Sequence, residues 1–297
     1  MKSFQYLAPI PQFDYLAPRK LSEVFDLLEV HGREAAVIAG GTDLTIALKE
    51  RTAAPKVVID LCHLRSELGG ITYGKGVLRI GALATFSEIE ASHPVAKYAN
   101  ALREASANVG TLQIRTIATL GGNLATASPA ADSAPPLIAL GANVGILGRS
   151  GERTLPVQGI FAGPKRNALQ VGEIISSVEV PALGGVRSAW TRAAVRNENV
   201  LSAVSVAVAS IVRDGTFGPS RIALGAVAPT PMLAETASKA MTGSRATAER
   251  AEEVARLAAE DARPISDIRA SARYRKHLVH VLTRRLIMGV LSEERVS

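Results

Sequence analysis

With 297 residues, 47% of them hydrophobic, the chain can bury a substantial core, enough for two domains or for one with a large appendage, and it is not a disordered polypeptide. Aromatic residues make up only 4%, so the core is built from small aliphatic side chains, which suits an α/β or α+β globule. The single cysteine, Cys62, excludes an internal disulfide framework and a four-thiolate site for zinc or an iron–sulfur cluster, and the net charge of +7 is concentrated near the C-terminus.

The N-terminal residues lack the apolar core of a signal peptide and the Arg-rich pattern of a transit peptide, and no stretch approaches the roughly 18 apolar residues of a membrane span. A cytoplasmic protein is expected. Residues 1–18 read as an extended arm, followed by an amphipathic helix carrying Leu21, Val24, Phe25 and Leu28, with Ser22 as its early cap.

Next, Ala35-Ala36-Val37-Ile38-Ala39 stops abruptly at Gly40-Gly41-Thr42-Asp43 before Leu44 opens a second helix. Strand, glycine turn and helix aim backbone N–H groups at one point, where a phosphate binds well. Asp43 could equally serve only as a helix cap. Residues 57–61 read as a buried strand, and 71–85 as a hairpin turning at Gly74-Lys75-Gly76. Residues 86–98 and 99–108 read as two helices with Pro94 marking the break.

The stretch from Thr119 through Leu120, Gly121, Gly122 and Asn123 to Asp132 reads as a second glycine turn, some eighty residues after the first. Paired glycines lack Cβ atoms, so backbone can approach a large anion and turn through positive φ. The plain alternative is a Gly-Gly turn feeding a proline-started helix near Pro135. Two such turns could clamp a pyrophosphate from both sides.

A hairpin over 143–157 and a strand over 172–180 lead to Pro181, where the domain change is placed, giving domains 1–180 and 181–297. Three antiparallel strands follow, at 187–195, 201–212 and 220–227, with valines alternating against alanine and serine as in a half-buried sheet. Helices are expected over 232–241, 247–261 and 271–291, the last with Leu278, Leu282, Leu286 and Val290 as its apolar stripe and Arg275, Lys276, Arg284 and Arg285 largely off it. Between Arg263 and Arg285 seven basic residues face Asp267 alone, a stretch that suits nucleic acid, an acidic partner or a phosphorylated ligand, or simply a solvated helix face.

Hydrolytic and phosphoryl-transfer motifs are absent. His277 and His280 have ligand-compatible spacing but no third ligand nearby, and Cys62 and His63 would point to opposite faces if the strand ran that far. A bound cofactor would therefore carry any reaction.

These residues resemble a known family. The segment from Val37 to Leu44, the run from Val109 and Gly110 to Arg115, the stretch from Thr119 to Asp132, and Ser266-Asp267-Ile268-Arg269-Ala270-Ser271-Ala272-Arg273-Tyr274-Arg275 look like the FAD-binding (medium) subunit of the molybdenum hydroxylases, the xanthine dehydrogenase, aldehyde oxidase and carbon monoxide dehydrogenase relatives. The resemblance implies an α+β fold: a two-lobed FAD domain of the vanillyl-alcohol-oxidase type, then a smaller domain with a three-stranded antiparallel sheet and helices. It implies an oxidoreductase subunit, acting on CH or CH2 groups or aldehydes as part of a complex. A molybdopterin subunit would hydroxylate the substrate, a subunit with two [2Fe–2S] clusters would relay electrons, and this chain would pass them from FAD to an external acceptor. The complex would be a dimer of heterotrimers, without nucleic acid.

By position, Val37, Ile38, Ala39, Gly40, Gly41, Thr42, Asp43 and Leu44 would wrap the pyrophosphate through backbone N–H groups, and Thr119, Leu120, Gly121, Gly122 and Asn123 would close the other side. Asp132 would accept hydrogen bonds from the FAD, and Ile175 would pack near its ring system through backbone and side chain. Val109 falls where some relatives place an aromatic ring against the flavin, and Thr191 where some carry a lysine. The extra [4Fe–4S] cluster of 4-hydroxybenzoyl-CoA reductase relatives cannot form here by cysteine ligation, with Cys62 alone.

Overall fold

A computed structural model describes residues 9–182, 184–196 and 200–292. The first lobe consists of strand β1 (Asp14–Leu16), helix α1 (Leu21–His31), strand β2 (Ala35–Ile38), helix α2 (Leu44–Lys49) and strand β3 (Val57–Asp60). Strands β1 and β2 flank β3, both parallel to it. Val24 and Leu28 of α1 pack on Val57 and Ile59, as the helical spacing of the apolar residues requires. The start of α1 differs from expectation. Ser22 lies inside the helix, and the Glu23 carboxylate accepts from the N–H groups of Arg19 (2.8 Å) and Lys20 (3.3 Å) instead.

Strand β3 ends at Asp60, and Cys62–Leu64 is a single 3-10 turn. The strand-based argument for opposed Cys62 and His63 side chains therefore does not apply. Helix α3 (Arg65–Leu68) leads to the hairpin β4 (Ile71–Gly74) and β5 (Val77–Gly81). Its turn has Lys75 at φ 51° and Gly76 at φ 77°, the left-handed pair a two-residue hairpin needs.

Three short helices follow where two were expected: α4 (Phe86–Ala91), α5 (His93–Tyr98) and α6 (Asn100–Ser106). Pro94 breaks nothing, because it lies in the first turn of α5, where its missing N–H costs no hydrogen bond. The breaks fall at Ser92, which caps α5, and at Ala99. Then come α7 (Leu112–Arg115), α8 (Leu120–Thr126), α9 (Ala134–Ala139), β6 (Asn143–Gly148), β7 (Gly151–Pro156), β8 (Phe161–Gly163), β9 (Arg166–Asn167) and β10 (Ile174–Pro181). The second lobe is an antiparallel sheet in the order β4-β5-β10-β6-β7, so the strand that arrives last takes the centre.

The C-terminal unit contains β11 (Val186–Ala193), β12 (Val204–Arg213), β13 (Thr216–Gly225), β14 (Met232–Leu233), α10 (Glu235–Met241), α11 (Ala248–Asp261) and α12 (Ala272–Ser292). The three long strands are antiparallel as expected. The two-residue β14 joins them as a fourth, taking the start of the helix expected over 232–241.

Strand β12 is buried on both faces, not one. Val204, Val206 and Val208 enter the helical core of their own unit, while Ala207 and Ala209 join the core of the preceding one. Small residues that read as a solvent face are small because a second layer packs there. Helix α12 packs its expected stripe on the core, with Leu282 and Val290 buried and Leu278 and Leu286 half-buried, but the buried face is wider than expected and also takes in Val279, Ile287 and Arg275, the last of which was expected off it. No helix among the described residues is long and apolar enough to cross a membrane.

Candidate flavin site

The first loop leaves β2 at Ile38 and enters α2 at Leu44. Gly41 sits at φ 70°, a left-handed turn that glycine adopts without steric cost. The N–H groups of Gly40, Gly41, Thr42 and Asp43 have no acceptor among the described residues. Four consecutive N–H groups without an acceptor among the described residues give a positively polarised stretch that suits a phosphate or pyrophosphate. The Asp43 side chain does not cap α2.

The second stretch works differently from expectation. Gly121 and Gly122 are not in a turn of positive φ but in the first turn of α8, with Thr119 as its cap, its Oγ1 accepting from Gly122 N at 3.1 Å. The backbone donors are used internally: Leu120 N bonds Ala84 O (3.0 Å), Gly121 N bonds Ala82 O (2.8 Å) and Asn123 N bonds Thr119 O (3.0 Å). A second cradle of free N–H groups is therefore absent from 120–123. The glycine at 121 has a packing cause, since a Cβ there would lie 2.7 Å from Ala82 Cβ and 2.9 Å from Ala82 O. At Gly122 a Cβ would meet only Thr119 Oγ1, at 2.9 Å. Gly121→Val should thus remove FAD binding more completely than Gly122→Val; flavin content of the two purified variants checks this, and equal retention would refute it.

The two loops meet. A Cβ at Gly40 would lie 2.7 Å from Ile117 C and 3.0 Å from Ala118 Cα, and closer still to Ile117 O. Gly40 has no positive φ; it is glycine because backbone touches backbone there. The contact places the free donors of the first loop beside the cap of α8. The only polar side chain of α8 to carry a spare donor is Asn123: its Oδ1 accepts from Ser133 Oγ at 2.6 Å, while its Nδ2 has no acceptor among the described residues.

Asp132 is already partnered within the chain. Its Oδ2 accepts from Arg192 at 2.9 Å and its Oδ1 from Ser202 Oγ at 2.6 Å, with Asp132 and Arg192 side chains 8% and 7% exposed. Burial pushes its carboxyl above the ordinary carboxylate range, against the downward pull of Ser202 and Arg192. Only its remaining lone pairs are left for a ligand. Arg192 and Ser202 carried no signal in the sequence, because neither lies at a fixed spacing from Asp132.

Ile175 lies on β10 opposite Ile146, and its side chain is in the core, leaving its backbone as the part able to meet a ligand. The adjacent Ser176 O accepts from Ala82 N at 3.0 Å, which ties β10 to the turn on which α8 rests. Val109 is half-buried against the same core, and its carbonyl accepts from Arg115 at 3.4 Å. Thr191, on β11, is not joined to the glycine loops by any hydrogen bond among the described residues. It lines, with Trp190, Arg192 and Leu112, a cleft of about 800 Å³ between β11 and the α4–α7 helices. His280, of the considered histidine pair, bonds Glu252 Oε1 at 2.8 Å.

Comparison with known proteins places the chain in a family. Residues 11–183 match the FAD binding domain in molybdopterin dehydrogenase, and residues 189–290 match the CO dehydrogenase flavoprotein C-terminal domain. The chain is 31% identical over 288 residues to the nicotinate dehydrogenase FAD-subunit of Eubacterium barkeri, covering 95% of this chain and 97% of that one. It is 29% identical over 280 residues to the xanthine dehydrogenase FAD-binding subunit of Escherichia coli, covering 93% and 96%. Its fold superposes with a TM-score of 0.90 on a chain of carbon monoxide dehydrogenase from Hydrogenophaga pseudoflava, at 29% identity over 96% of this chain and 99% of that one. The chain belongs to the family of FAD-binding, or medium, subunits of the molybdenum-containing dehydrogenases.

Proposed function

We propose that this chain holds FAD at the meeting point of its two loops and works as the electron-exit subunit of a molybdenum hydroxylase. The observation that carries the reading is the run of N–H groups over 40–43 without an acceptor among the described residues, held against Ile117 by a glycine that leaves room for nothing larger. Those donors would take the pyrophosphate, Asn123 Nδ2 would meet the ligand from the other side, and the Asp132–Arg192 pair would fix the C-terminal sheet beside the flavin. Val109, Ile175 and Thr191 would border the ring. FAD, when bound, supplies a redox group that accepts electrons from one partner and yields them to another.

The chain would receive electrons from a partner subunit with two [2Fe–2S] clusters, itself fed by a molybdopterin-binding subunit, in a cytoplasmic dimer of heterotrimers. The single cysteine supports clusters held elsewhere. A domain change near Pro181 fits, with residues 1–180 the flavin unit and 181–297 the C-terminal unit, although the two share buried core.

The purified chain should be yellow with oxidised flavin. Under anaerobic conditions its absorbance should persist when organic substrates are added without partner subunits. Bleaching by a substrate in the isolated chain would instead mark a self-contained FAD oxidase or reductase, and a colourless chain that takes up no FAD would exclude both.

A further inference from the structure

Helix α8 carries Asn123, the side chain with a spare donor opposite the first loop, yet it is only seven residues long. A helix this short does not hold its own position in water; the groups that satisfy its ends decide where it lies. Its N-terminal end is fixed by Ala84 and Ala82, whose carbonyls accept from Leu120 N and Gly121 N. Its C-terminal end is fixed by a different element, the hairpin of β8 and β9.

Asn167 of β9 makes that second attachment. Its Nδ2 donates to Ala125 O at 2.7 Å, and its Oδ1 accepts from Leu169 N at 3.1 Å. A side-chain amide offers a donor and an acceptor on one planar group, which an ionised carboxylate of the same shape does not. Aspartate here would keep the bond from Leu169 N but set an oxygen against Ala125 O. The backbone adds a second hold, with Lys165 N donating to Ala127 O at 3.0 Å. Ala127 itself stands at φ 49°, the left-handed conformation in which helices commonly end.

Ala125 comes two residues after Asn123, so Asn167 acts on the turn that presents the Asn123 side chain. The Asn123 amide is oriented separately. Its Oδ1 accepts from Ser133 Oγ at 2.6 Å, which fixes Nδ2 as the end left for a ligand. Two partners from outside the helix therefore define one donor: Ser133 sets its orientation and Asn167 its place.

The hairpin has other attachments. Phe161 belongs to the buried core, Ala168 N donates to Ile160 O at 2.9 Å, and Lys165 N keeps its bond to Ala127 O. Removing the Asn167 side chain therefore loosens the end of α8 while the hairpin stays attached.

We infer that Asn167 is a positioning residue for the cofactor, holding the C-terminal end of α8 so that Asn123 Nδ2 meets the ligand opposite the donors of 40–43. The assignment rests on the FAD reading above. Its test is a double-mutant cycle on the full-length chain. FAD affinity is measured by flavin absorbance on titration of the apoprotein, and thermal unfolding of the ligand-free chain is followed alongside.

Asn167→Ala should bind FAD about tenfold more weakly, the size of effect expected when a hydrogen bond is lost and its acceptor is left unsatisfied. Asn167→Asp, unchanged in shape, should bind more weakly still. Asn123→Ala should lose a similar factor. Adding Asn167→Ala to it should change the affinity by no more than about twofold, because the residue through which Asn167 acts is already gone. The unfolding midpoint of the ligand-free chain should respond to Asn167→Ala equally in both backgrounds. A contact that only supports the fold would instead lower the midpoint with FAD affinity unchanged, or weaken FAD binding by the same factor with and without Asn123. Either result overturns the assignment, as does an Asn123→Ala chain that binds FAD as tightly as the wild type. Those outcomes leave FAD binding itself standing, whereas a wild-type chain that takes up no FAD refutes that reading and the assignment together.

Discussion

Gly40→Ala should weaken FAD binding by roughly 10- to 100-fold, because the new methyl has no place to go. Its Cβ would lie 2.7 Å from Ile117 C and 3.0 Å from Ala118 Cα, both backbone atoms that cannot rotate away. Relieving the overlap requires the two loops to part. Overpacking of this kind costs about 1–3 kcal/mol, and about 1.4 kcal/mol corresponds to tenfold in affinity. The separation moves the free donors of 40–43 away from Asn123, so the cost falls on the ligand-bound geometry. Titration of the apoprotein with FAD, followed by flavin absorbance, measures it. Gly159→Ala is the control, since its nearest neighbour would be Leu155 Cβ at 3.9 Å. Equal FAD affinity for wild type and Gly40→Ala would show that the loop contact does not shape the site.

Arg192→Leu should destabilise the folded chain by about 3–5 kcal/mol, the usual consequence of leaving one buried charge without its partner. The Asp132 carboxylate would keep Ser202 but lose the guanidinium at 2.9 Å. Burial already raises this carboxyl above its ordinary 3.8, and removing Arg192 raises it further. A carboxyl raised on folding contributes stability that is fully present below the unfolded value and is lost as pH rises through the folded one. The deficit of Arg192→Leu should therefore be small at the acid end and grow towards neutral pH. Urea unfolding of the single variants and of Asp132→Asn with Arg192→Leu closes a double-mutant cycle. The double variant should recover much of the loss; a pH-independent deficit, or strictly additive effects, would contradict the pairing.

The strand, glycine turn and helix around Gly40 were legible in the sequence because each is a local choice. An apolar run stops at two glycines, and a helix of Leu44 to Lys49 follows whatever the rest of the chain does. The hairpin at Lys75 and Gly76 was legible for the same reason, as were the C-terminal helices. The paired glycines at 121 and 122 were equally visible, yet their cause was not. They were read as a turn, whereas Gly121 is glycine because Ala82, brought in by the sheet, leaves no room for a Cβ.

Sequence patterning by itself determined the α+β class, most of the strands and the glycine turn between β2 and α2, since these depend on periodicity and turn residues within a few positions. Tertiary structure alone decided that Gly40 meets Ile117, that Asp132 is bound by Arg192 and Ser202, that both faces of β12 are buried, and that Arg275 lies inside while Ile268 lies outside. Each of these depends on which distant segments share a space. An arginine near other basic residues looks solvated until the one carboxylate and carbonyl that hold it, Asp267 and Ala226, are seen to converge on it.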